Sequence, residues 1–208
     1  MQELLQHIAG VEQTVYLLND YEDEMKEYFE AANARNIRQY QVIAEAPCEL
    51  VISYEDTSTT VMSKDMFVNF TAPAINEYAD ILHKANKKFI THMCGKVSGF
   101  IDEIGAGRQD GIDSLCPPTT GDLCANDARA VWGNKRVIIG GIEPPSLSRF
   151  TVDETIENVK AVIKSMANNN GFILSTGDAV PYGTPIENLV CISHLIKELG
   201  YKSVAGEF

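Results

Sequence analysis

The sequence predicts an α/β fold in which helices cover a parallel sheet, and three observations carry that expectation. Five short segments are nearly continuous in apolar character, as strands buried on both faces are. Stretches with a helical period separate them, so each strand is followed by the helix that a parallel connection needs. Each strand also runs out at a polar or reactive residue, which is where parallel α/β folds gather their chemistry. A doubly wound open sheet and a (β/α) barrel both satisfy these observations.

Taken in order, the elements begin with a helical leader over residues 1–49, followed by βα units over residues 50–208 of the same domain. Residues 3–18 predict a short helix with a break near Ala9 and Gly10. From Asp20, apolar positions such as Met25, Phe29, Ala32, Tyr40 and Ile43 recur at helical spacing among charges and predict one long amphipathic helix. The strands are expected at 50–54, 88–92, 111–116, 136–142 and 171–176, rich in Ile, Val and Phe. Between the first two, residues 64–86 place Phe67, Phe70, Tyr78 and Leu82 on one helical face, and Pro73 kinks or restarts that helix. Thr151-Val152-Asp153-Glu154 reads as a capping box, with Ile156, Val159 and Ile163 as the apolar face that follows. The last helix is expected to take Thr184 as N-cap, Pro185 as its first position, Glu187 to complete the box and Gly200 at its exit.

Composition narrows the function. The 208 residues, 45% hydrophobic and 22% charged, are those of a soluble globular domain. A net charge of -12 opposes nucleic-acid binding, which depends on neutralising phosphates with Lys and Arg. No apolar run approaches the roughly 20 residues that cross a bilayer. The first 20 residues hold no Lys or Arg ahead of an apolar core, so no membrane partner and a cytoplasmic location are expected. Five widely spaced cysteines without a CxxC read as reduced thiols. No GxGxxG or GxxxxGK(S/T) follows a strand, which removes the usual support for a nucleotide fold.

The strand ends supply the candidate site residues. Residues two apart on a strand share a face, so His92 and Cys94 can share one metal ion. Glu55 and Asp56 are adjacent carboxylates after the first strand; facing opposite ways, at most one enters a cavity, for polar or acid/base work. Glu143 is a cavity carboxylate or, preceding Pro144 and Pro145, a turn residue. Asp178 follows a glycine, where an aspartate often caps its own backbone. Cys116 reads as a buried thiol, and His7, His83 and His194 as structural or solvated.

The ordered segments Tyr54-Glu55-Asp56-Thr57-Ser58, His92-Met93-Cys94-Gly95, Gly140-Gly141-Ile142-Glu143, Gly177-Asp178-Ala179-Val180-Pro181 and Thr184-Pro185-Ile186-Glu187-Asn188 carry a resemblance. Together they resemble the uroporphyrinogen decarboxylase superfamily. Within it, the His-x-Cys pair is similar to that of zinc-dependent methyltransferases that take a methyl group from a corrinoid protein. The resemblance implies a TIM-type (β/α) barrel, present here as about five C-terminal βα units, since a full barrel takes about 250 residues. It implies zinc at His92 and Cys94, with Asp178 at the position where the methyltransferases carry a cysteine, a harder ligand than thiolate. Glu55, Asp56 and Glu143 would line the cavity. It implies a methylated corrinoid protein as partner and a thiol or folate-like methyl acceptor. Open sheet edges would call for a homo-oligomer or a complementary chain. Two alternatives accompany this reading. One is metal-free porphyrinogen decarboxylation, for which Lys96, Arg108, Arg129 and Arg149 are the cations available to hold carboxylates. The other is a non-catalytic truncated barrel serving as a binding or assembly module.

Overall fold

The computed structural model describes residues 1–55, 57–166 and 170–203, so Asp56 lies outside the described residues. Five parallel strands form one sheet in sequence order: β1 (Leu50–Tyr54), β2 (Lys88–His92), β3 (Gly111–Leu115), β4 (Val137–Ile142) and β5 (Phe172–Thr176). Neighbouring strands that are also consecutive in the chain are the order of a (β/α) barrel wall. Among the described residues the sheet stays open, with β1 and β5 as its edges.

The leader consists of a π-helical turn at Leu4–Ile8, α1 (Gly10–Asp20) and α2 (Glu22–Glu45). The expected break falls at Gly10, whose φ of 79° suits glycine. The leader packs against the helix that follows β1 and against β2: the Tyr40 ring stacks on Tyr78 of that helix at 4.2 Å and meets Phe89 of β2 edge-on at 5.8 Å, and the Tyr78 hydroxyl donates to Asn33. Its exit is pinned by buried Lys87, whose ammonium donates to the Ala46 and Cys48 carbonyls.

After β1, α3 (Lys64–Met66) is capped by Ser63 and runs through a π-helical turn at Phe67–Thr71 into α4 (Ala72–Lys84). Pro73 stands in the first turn of α4, so it restarts a helix and leaves no interior carbonyl stranded. α5 (Ile101–Ala106) and α6 (Ala125–Trp132) flank β3, α7 (Pro144–Arg149) and α8 (Val152–Ser165) follow β4, and α9 (Ile186–Ser203) follows β5. The capping box at α8 forms as expected, with Thr151 and Glu154 exchanging side-chain and backbone bonds.

Several expected boundaries move, β4 and β5 each starting one residue late at Val137 and Phe172. β3 ends at Leu115, because Cys116 turns out of the ladder ahead of Pro117 and Pro118 and its carbonyl accepts from Leu123 instead. α9 starts at Ile186, because the Thr184 hydroxyl donates back to the Pro181 carbonyl and is not an N-cap. It also continues through Gly200 to Ser203. The irregular pairing of β3 with β4 needs a glycine: at Gly140 a Cβ would lie 2.2 Å from the Leu115 carbonyl oxygen.

The main core lies between helices and one face of the sheet, built around Phe67, Leu82, Phe89, Phe100, Ile112 and Ile138. A second cluster of Ile142, Leu147, Val159, Ile163 and Leu195 joins α7, α8 and α9 to the end of β4. Alternation sends the other residues of the edge strands away from this core. Leu50, Ile52 and Tyr54 on β1 and Ile173 on β5 are accordingly exposed.

Candidate functional site at the carboxyl ends of the strands

Parallel pairing sets Tyr54, His92 and Asp113 side by side across β1, β2 and β3. The His92 Nδ1 lies 2.7 Å from the Asp113 carboxylate, and the Tyr54 ring leans on the imidazole at a centroid distance of 5.0 Å. Sequence reasoning missed Asp113. Its signal was an acidic residue inside an apolar strand, where a carboxylate needs a donor opposite it.

Cys94 lies two residues beyond His92, outside the strand. It lines a cavity of about 360 Å³ together with Leu5, Val11, Ser58, Thr120 and Asp178. The leader thus supplies one wall, a contribution invisible in the local sequence around the strands. Gly95, with φ of 81°, turns the chain so closely past Ser58 that a side chain there would meet its hydroxyl. Asp178 faces the same cavity while one of its oxygens accepts from the Ala179 amide at 2.6 Å, the self-capping reading of a Gly-Asp turn.

Glu55 follows β1, donating its amide to the His92 carbonyl and accepting from the Ser53 hydroxyl. Burial pushes its carboxyl above the ordinary value, opposed by the Met1 amino charge and the Ser53 hydrogen bond. Glu143 is buried and N-caps α7. Its carboxylate accepts from the Ser146 amide and hydroxyl and from Thr120, and meets Arg149 at 3.5 Å. Burial would raise it, but the bonds from Ser146 and Thr120 outweigh that and hold it below the usual range. It lines a separate cavity of about 280 Å³ with Pro117, Cys124 and Asn158. Buried Cys116 has its thiol pushed up to about 11, with the Gly121 amide opposing and the charges of Glu143 and Asp178 adding. That thiol is protonated at neutral pH.

Of the expected metal ligands, the structure brings Cys94 and Asp178 to one cavity, while His92 is not among its walls. Among the described residues no group of three or more His, Cys, Asp or Glu stands close enough to hold a metal ion. The donors as they stand therefore do not fit a three-ligand zinc centre. Two of the four cations considered for a polycarboxylate are engaged elsewhere. Arg129 is tied to the carbonyls of Gly133, Arg136 and Gly171 at the opposite end of the strands, and Arg108 pairs with Asp80. Among the described residues no helix is long and apolar enough to cross a membrane.

Comparison with known proteins agrees with this fold. A solved methyltransferase from Methanosarcina mazei superposes with a TM-score of 0.74 over 92% of this chain at 19% identity. The match takes in 54% of that protein, so this chain spans about half its length. No curated protein matches the sequence. The family model for uroporphyrinogen decarboxylase (URO-D) matches residues 4–199, nearly the whole chain. The chain therefore belongs to the uroporphyrinogen decarboxylase family.

Proposed function

We propose that this chain carries the acceptor side of a methyltransferase that takes a methyl group from a methylated corrinoid protein and gives it to a thiol or a folate-like acceptor. The observation that carries the reading is the cavity where Cys94 and Asp178 meet at the ends of β2 and β5 under the leader. Its walls are largely apolar or uncharged, which suits a small neutral thiol better than a polycarboxylate and favours the thiol of the two acceptors. The fold shared with the Methanosarcina mazei methyltransferase and the His-x-Cys pair support the same reading. With a thiol acceptor the transfer is a displacement: the sulfur lone pair forms the new S–CH3 bond, the Co–C bond breaks, and its electron pair leaves on cobalt(I). The thiol proton must go to a base or to solvent before or during attack.

Zinc belongs to this reading as an expectation from the family resemblance. Because His92, Cys94 and Asp178 do not stand together as ligands, no step is assigned to it.

The test incubates the purified chain with methylcobalamin and a thiol and follows cobalt(I) formation by absorbance, with metal content measured on the same sample. Thiol-dependent demethylation that falls at least tenfold in Cys94→Ala is the expected result. Near one zinc per chain, lost in the same variant, would establish the metal. No demethylation above the protein-free rate, with or without added zinc, would overturn the reading.

A further inference from the structure

The pairing of His92 with Asp113 fixes more than a ring position. A carboxylate only accepts hydrogen bonds, so an imidazole nitrogen 2.7 Å from it must be the one that carries hydrogen. The two residues sit directly opposite each other in the register of β2 and β3, so backbone pairing maintains their separation. The Tyr54 ring, opposite on β1, restricts rotation from the other side. Both His92 and Asp113 are mostly shielded, with 19% and 24% of their side chains exposed, so water competes weakly for the bond.

We infer that Asp113 is a positioning residue that holds the neutral form of His92, where it is populated, in the Nδ1–H tautomer, so that Nε2 of that form presents its lone pair at the carboxyl ends of the strands. The nitrogen on offer is then a hydrogen-bond acceptor for a substrate X–H group or a donor atom for a cation, and not an N–H donor. Metal-binding histidines are oriented by carboxylates in this way, but the inference does not require a metal. It concerns the same strand ends as the proposed function and stands without methyl transfer, because the tautomer belongs to the resting protein.

The test is a nitrogen-15 NMR measurement on the full chain with labelled histidine, at a pH above the range in which imidazoles titrate. His92 is assigned by its loss in His92→Gln. The expected wild-type signature is a pyrrole-type Nδ1 and a pyridine-type Nε2. In Asp113→Leu, of similar branched shape, the assignment should shift toward Nε2–H, the form that predominates in unrestrained histidine, and Asp113→Glu should restore at least part of the wild-type pattern. A pyrrole-type Nε2 in the wild-type protein would overturn the inference without recourse to any variant. So would an unchanged Nδ1–H tautomer in folded Asp113→Leu. A failed methyl-transfer assay beside an Nδ1–H spectrum would count against the proposed function alone.

Discussion

Glu143 shows how a residue conspicuous in sequence can be structural in its chemistry. Every strand end in a parallel α/β fold is a candidate site, yet this carboxylate is saturated by the first turn of α7 and by Thr120. Its held-down acidity makes it a stability element. A carboxylate whose folded value lies below its unfolded one contributes stability that is full above the unfolded value of 4.5 and is lost as pH falls through the lower folded value. Glu143→Ala should therefore destabilise the chain by about 1–3 kcal/mol at neutral pH. The difference between variant and wild type should shrink as pH drops below 4.5. Urea titrations at a series of pH values measure both, and a pH-independent difference would contradict the assignment. Asp113 is the reverse case: one acidic letter in an apolar strand, whose partner His92 lies 21 residues away and becomes visible only in the paired register.

At the scale of elements, capping and periodicity were read well where the signal is local. The box at Thr151 and Glu154 and the restart at Pro73 follow from side chains acting within one turn. The start and end of α9 did not follow from the same rules. The Thr184 hydroxyl is engaged by the Pro181 carbonyl and by Ser148, so it does not act as the cap, and the helix passes Gly200. What anchors α9 is Asn188, buried at 1% exposure, whose amide donates to the Leu147 and Phe150 carbonyls at 2.8 and 2.7 Å. Asn188→Leu keeps the branched shape and the number of side-chain heavy atoms but leaves both carbonyls without this donor, so it should lower stability by on the order of 1–3 kcal/mol. Thermal or urea unfolding tests this, and a variant as stable as the wild type would show that the two bonds contribute nothing net.

For the whole molecule, the unresolved balance is an open sheet. Leu50, Ile52 and Ile173 are 46%, 42% and 52% exposed, beside the two strand edges that stay unpaired among the described residues. Such a surface favours association. A second copy of the chain, pairing through these apolar edges, is the expected occupant. Sedimentation should report a dimer that Ile52→Asp shifts toward monomer. A monomer at every concentration would remove the second copy as occupant, and a stable assembly only with a separate protein would point to a complementary chain. The sequence by itself determined the alternation of strands and helices, the parallel sheet and the family landmarks, because apolar period and strand-end chemistry are written within a few residues. Only the tertiary structure decided that Cys94 and Asp178 share a cavity walled by the leader, that His92 answers to Asp113, and that Glu143 is a cap. Those outcomes depend on which distant residues the register brings within hydrogen-bonding distance.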